Sequence, residues 1–292
     1  MISRYLMITY LSLTFSLSHS QQVINDSSKT RLRRLVIISS ATYTTTLIGL
    51  NHLWYSKFPR EGFHFFNDKN EWKQVDKVGH FFTAYHLSKL SANALGSTGL
   101  SQQKSDFWGS IVGVTMMLPI EVFDGFSSEY GASVSDLIAN ALGSGFYLGQ
   151  QIIWNENRIH PKFSFKRSGL ANQRPNLLGE NFYEEILKDY NGQTYWLSFD
   201  LDKFMKSISF PKWLNIAIGY GASNMISASA IASTEAGFKP FRRYYFALDP
   251  DFSWIQTNSK VLRSFLYIIN LIHIPGPTLE LSKEKAKIRL LR

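Results

Sequence analysis

Asp76 and His80 stand four residues apart in the stretch VDKVGHFFTAYH, where a plain core helix would carry Leu or Ala. At 3.6 residues per turn they share one helix edge with Thr83. Two further segments repeat the habit. Glu121 and Asp124 are three apart, and Asp136, Asn140, Gly143 and Tyr147 form one stripe flanked by Leu137, Ile138, Leu142 and Phe146. Ionisable groups among apolar helices are costly unless paired, hydrated or bound to a metal. Convergence of the three edges would gather an imidazole and several carboxylates, with Lys77 and the Asn140 amide as partners. The candidate polar centre is therefore Asp76, Lys77, His80, Glu121, Asp124, Asp136 and Asn140. Such a set suits a hard or borderline divalent ion, with His80, Glu121 and Asp136 as ligands, or a general acid and base sharing a pocket.

Each of these residues also has a purely structural reading. Asp76 can be an N-cap, Asp136 can complete a capping box with Ser133, and Glu121 and Asp124 beside Pro119 and Gly125 can mark a solvated helix end. His80 can be a hydrogen-bonded core histidine. One His without any Cys is a thin donor set for zinc, so no cofactor is certain and a divalent metal is the one in question. His86 falls away from His80 on the helical wheel. The pairs Asp200/Asp202 and Asp249/Asp251 can bind calcium, although exposed alternate Asp at strand ends is the commoner arrangement. The chain carries no phosphate-cradling Gly loop, G-x-S-x-G elbow or H-E-x-x-H motif.

The elements that must position these residues follow from periodicity. Residues 35–55 contain no charged side chain and match one membrane crossing in length, but three adjacent Thr and two Ser make a poor lipid-facing surface. They suit a helix packed against others or lying at a membrane edge. A polar, aromatic linker then leads to a helix from Asp76 to Leu95, stopped by Gly96. Apolar residues from Phe107 to Ile120 form the next helix, with Gly109 and Gly113 permitting close approach. After a Gly/Ser loop, the stretch SVSDLIANALGSGFYLGQQIIW gives a fourth helix, with Ala139/Gly143 and Gly145/Gly149 again small and four apart. Beyond Trp154 comes a charged connector, a short helix ending at Asn191-Gly192, and three strand-like segments: TYWLSFDLDKF, KWLNIAIGYGA and RYYFALDPDFSW. A helix over 259–273 and a basic tail close the chain. The expected fold is mainly α, a bundle of about four short apolar helices over 35–154 followed by a smaller α+β segment over 155–292.

The N-terminus, MISRYLMITYLSLTFSLSHSQQ, fits a secretory signal over residues 1–20, cleaved after Ser20; the alternative is an uncleaved anchor, for which the apolar run is short. The net charge of +9 lies mostly after Trp154, where 19 basic residues face 12 acidic ones. That excess suits anionic lipid headgroups or cell-wall material as partners, and no nucleic-acid motif accompanies it.

Several segments carry a resemblance. DKVGHFFTAYHLSKL, EVFDGFSSEYGASVSDLIANALGSGFYLGQ, YNGQTYWLS, KWLNIAIGYGA and IPGPTLE look like the YfiM-like predicted periplasmic lipoproteins of unknown function (DUF2279). The helical core also resembles the VanZ-like pattern, on which Asp76, Lys77, His80, Glu121, Ser133, Asp136, Asn140 and Gly143 match position by position. Two departures stand out: there is no lipid-bearing Cys, and the arginine ahead of S-x-x-D is missing. The resemblance implies an envelope location and a polar site, and it stops short of a reaction. The functional expectation is an exported, membrane-associated envelope protein with a buried polar site. The alternatives are a metal-assisted hydrolase or transferase acting on a lipid or wall precursor, and a purely structural scaffold.

Overall fold

In the computed structural model, residues 28–56, 58–205, 210–283 and 286–289 are described; the expected signal segment over 1–20 lies outside them. The chain divides into two compact units, one comprising residues up to Asp68 together with Thr83–Asn155, the other Lys69–Phe82 together with Glu156 onward. The architecture is the expected one, mainly α with a smaller α+β part.

The first unit is built on four helices: α1 (Ser28–Tyr55), α2 (Val75–Gly96, from Thr83 on), α3 (Gln102–Gly125) and α4 (Val134–Trp154). Ser133 caps α4 by accepting the Asp136 N–H, and Asn155 ends it in the left-handed conformation, with φ of 55°. Gly109 and Gly113 do bring backbones together. A Cβ on Gly109 would lie 2.5 Å from the Ala92 nitrogen, and one on Gly113 would lie 2.1 Å from Ser88 Oγ. Ser88 in turn donates to Ser144 on α4 at 2.9 Å. Gly145 and Gly149 depart from expectation, because a Cβ on either meets nothing within 4 Å. That side of α4 is open.

The second unit centres on a six-stranded antiparallel meander in chain order: β1 (Ile159–Phe165), β2 (Gln193–Phe199), β3 (Leu214–Ser223), β4 (Phe241–Pro250), β5 (Thr278–Ser282) and β6 (Ala286–Arg289). Three strands fall on the expected segments. β1 replaces the charged connector, and β5 and β6 replace the basic tail, so those two expectations are corrected. Helices α5 (Phe182–Lys188), α6 (Ala230–Glu235) and α7 (Lys260–Asn270) join the strands. The stretch after α7 pairs with the free edge of β1, Phe163 N–H donating to Leu271 O and His273 N–H to Phe163 O. Only a few residues separate it from β5, so the sheet must curl until its first strand approaches its fifth. Against the Tyr195–Tyr220 end of the sheet, Trp72 and Val75 join Leu178, Ala222, Met225 and Ile226 in an apolar core.

Candidate functional site

In the first unit the acidic residues gather at the start of α4. The last turns of α3 carry Glu121 inward, where its Oε2 accepts the Ser133 N–H at 3.0 Å. In a capping box the N3 side chain would make that bond; here Glu121 has taken the role expected of Asp136. Ser133 Oγ accepts from the Asp136 N–H at 3.1 Å and itself donates to Asp68, which also accepts from Ser135 Oγ at 2.8 Å. Glu121, Asp136 and Asn140 are all buried. Burial pushes the Glu121 carboxyl up to about 8, the Ser133 N–H partly opposes this, and Asp136, Asp124 and Asp68 add to it by repulsion. Glu121 is thus held protonated at neutral pH, and a solvated helix end does not describe it. Asp124 accepts from the Tyr55 hydroxyl at 2.7 Å.

Two residues of this unit carry polar contacts that the spacing did not single out. Asp68 sits in the linker, where no periodicity marks it. Asp106, just past the first turn of α3, reads as a helix-start charge but is buried, accepting from Gln102 at 3.0 Å and from the Tyr147 hydroxyl. The α4 stripe therefore ends in a carboxylate contact on both sides, Asp136 at its start and Tyr147–Asp106 nearer its end.

Asp76, Lys77 and His80 fall in the second unit. Asp76 is buried and accepts from Lys77 Nζ at 2.8 Å, while His80 is half-buried one turn further on. The turn before them is held in an unusual backbone: Trp72, Lys73 and Gln74 have φ of 45°, 52° and 65°. Tyr220 donates to Lys73 O and Arg242 to Gln74 Oε1, which pins it.

Under the sheet lies a second polar cluster. Asp200, Asp249 and Asp251 are buried, which corrects the expectation of exposed strand-end aspartates. Lys162, fully buried on β1, meets Asp249 at 2.6 Å, Pro250 O at 3.0 Å and Asn270 Oδ1 at 3.0 Å. Asp249 also accepts from Ser198 at 2.6 Å and pairs with His273 Nδ1 at 2.7 Å, whose ring stacks on Trp196. Beside this, His160 Nε2 lies 3.0 Å from both Asp200 oxygens, which also accept from Lys203 at 2.8 Å and Asn215 at 2.8 Å. His160, Asp200 and Asp251 bring ligand atoms within 4.8 Å of one another. The oxygens are already engaged, however: Asp251 accepts from Ser253 and Asn270, and the Lys203 ammonium occupies the place of a cation. The cluster works as an internal ion-pair network.

Burial would raise the Asp200 and Asp249 carboxyls, but His160 and Lys203 for the first, and His273 and Lys162 for the second, outweigh it and hold both below the usual carboxylate range. A depressed folded value means the stabilisation is present above the unfolded value, about 3.9, and is lost as pH falls through the folded one. Unfolding midpoints measured in urea are therefore expected to drop steeply below about pH 4, and Asp249→Asn is expected to make that acid limb shallower.

An exported protein of the cell envelope is the class that the family comparison supports. Residues 61–149 match a family model described as "Predicted periplasmic lipoprotein (DUF2279)", which agrees with that location. The matched stretch contains α2, α3, most of α4 and the acidic centre at the start of α4. The chain has no Cys, so the lipid-bearing residue of a lipoprotein is not part of it. Comparison with curated proteins and with solved structures finds no match.

Proposed function

We propose that this is a membrane-associated envelope protein whose helical unit lies against lipid and encloses a buried acidic centre. The observation that carries the reading is the inverted polarity of α3 and α4. The buried positions of α3 are Ser105, Asp106, Gly109, Ser110, Gly113, Met117, Glu121 and Gly125, whereas Phe107, Trp108, Ile111, Val112, Leu118 and Val122 are exposed. On α4 the buried set is Asp136, Ala139, Asn140, Gly143, Ser144, Tyr147 and Gln150, while Val134, Ile138, Leu142, Ile152 and Ile153 face outward. A water-facing helix has the opposite arrangement; polar groups inside and apolar ones outside suit hydrocarbon. The VanZ-like spacing and the YfiM-like likeness support the same reading, and the basic excess after Trp154 suits lipid headgroups or wall material. Carbonate extraction of membranes from expressing cells tests it: the protein is expected in the pellet, and full recovery in the soluble fraction would overturn the reading.

Glu121 is the residue on which the acidic centre turns. Its raised folded value lies above the unfolded value of about 4.3, so wild-type stability is expected to fall as pH rises from about 5 to 8, by up to about 1.4 kcal/mol per unit. Glu121→Gln, which copies the protonated form, is expected to flatten that slope and to fold at pH 7. Equal slopes in denaturant titrations of the two proteins would refute the assignment. The divalent ion expected of His80, Glu121 and Asp136 stands as a separate proposal. Metal analysis of wild type beside a His80→Ala/Asp136→Ala variant decides it, equal metal content removing the metal-assisted hydrolase or transferase.

A further inference from the structure

The sheet of the second unit is polarised in the same inverted sense, and the register makes the pattern explicit. On one face, cross-strand rows run Pro161–Leu197–Ile218–Phe246–Leu279–Ile288 and Phe163–Tyr195–Tyr220–Tyr244–Leu281–Ala286, with Ile159–Phe199–Ile216–Leu248 beyond. The opposite face carries His160, Lys162, Thr194, Ser198, Asn215, Asp249, Thr278 and Glu280 around the aromatic pair Trp196 and Tyr245, all buried. From β3 to β6 the apolar face is bare: Ile218, Tyr244, Phe246, Leu248, Leu279 and Leu281 are exposed and Ile288 is 80 % exposed. At about 4.8 Å between strands and 6.8 Å between rows, this is a continuous patch of roughly 300 Å².

We infer that this face, from β3 to β6, lies against the acyl chains of a bilayer. Three observations select lipid as the occupant. The sheet has placed its ion pairs on the sheltered side, around buried Trp196 and Tyr245, and its aliphatic side chains and Phe246 on the open side, the arrangement of strands that contact hydrocarbon. Among the described residues of β3 to β6 the face carries no Asp or Glu, and its one charge, Arg242, sits a row beyond the in-register Tyr220 and Tyr244. At the other end of the same strand pair, where Leu214 faces Pro250, exposed Trp213 precedes β3 and exposed Trp254 follows β4. Tyrosine and tryptophan beside an apolar band, with arginine beyond, match the boundary between acyl chains and anionic headgroups. Strand order ends at β6 without a further partner among the described residues, and an unpaired edge is not tolerated deep in hydrocarbon. The contact is therefore face-on, with the edge at the periphery.

The absence of Cys makes the test clean. Full-length Phe246→Cys, Leu279→Cys and Ile288→Cys variants, spin-labelled and reconstituted in phosphatidylethanolamine/phosphatidylglycerol vesicles, are compared with Glu235→Cys on exposed α6. Near-UV circular dichroism matching wild type certifies folding. Oxygen-to-nickel-chelate accessibility is expected to be several-fold higher at the three sheet positions than at Glu235. Higher nickel accessibility at Phe246 and Leu279 would overturn the inference in favour of a water-facing sheet. Low access to both reagents with dipolar broadening between labels would overturn it in favour of a second copy. Labels at Ile138→Cys and Leu142→Cys on α4 report the helical unit separately, so failure of the sheet proposal and failure of the helical one are distinguishable.

Discussion

Lys162→Met is expected to destabilise the protein by about 3–5 kcal/mol, because it removes the ammonium of a buried ion pair and leaves the Asp249 carboxylate with only His273 and Ser198 as partners. Lys162 and Asp249 are both fully buried, 2.6 Å apart. The lysine also supplies protons to Pro250 O and Asn270 Oδ1, which would lose them. The double variant Lys162→Met/Asp249→Asn carries no stranded charge and keeps an acceptor for His273 Nδ1. It is expected to recover a substantial part of the loss, giving a coupling energy well above the scatter for independent sites. Urea unfolding followed by near-UV circular dichroism, to which Trp196 stacked on His273 contributes, measures both. Additive costs would mean that the network is a set of separate contacts and that the polar side of the sheet is wetter than its burial implies.

That network also marks the limit of what the sequence discloses. The alternation of Leu214, Ile216, Ile218 and Tyr220 against Asn215, Ala217, Gly219 and Gly221 is legible as a strand, and β3 forms there. Which side is sheltered is not legible, since ordinary burial would take the leucine and isoleucines inward and the structure shelters Asn215 and Ala217. The reason lies far along the chain, in partners such as Asp249 and His273 that local spacing cannot pair with Lys162. β1 was hidden for the same reason: Pro161 and Lys162 argue against a strand until Asp249 neutralises the lysine. On the helices the stripes of Glu121, Asp136 and Asn140 were legible from period 3.6 alone. The Ser133 bond to Glu121, and the Asp68 and Asp106 contacts, needed the fold.

Gly109→Ala and Gly145→Ala are expected to change stability in opposite directions, although both replace a helical glycine with a better helix former. The helix gain is similar at each, about 0.5–1 kcal/mol. At Gly145 the new methyl meets nothing within 4 Å, so that gain stands and thermal unfolding should shift upward. At Gly109 the methyl would lie 2.5–2.6 Å from the Ala92 nitrogen, Cα and Cβ, and two of these atoms are backbone that cannot rotate away. α2 and α3 must separate by about 1 Å, at an overpacking cost of about 1–3 kcal/mol that outweighs the helix gain. Gly109→Leu should exceed it. The displacement has a second consequence, because the same helix carries Glu121 12 residues further along, about 18 Å away. A tilt opened at Gly109 moves the carboxylate relative to the Ser133 N–H, so the pH slope assigned to Glu121 should weaken in Gly109→Ala and persist in Gly145→Ala. Loss of stability at Gly109 without any change in that slope would show that the acidic centre is held by the α3–α4 connection alone. A common sign for both substitutions would show that close approach of α2 and α3 contributes little.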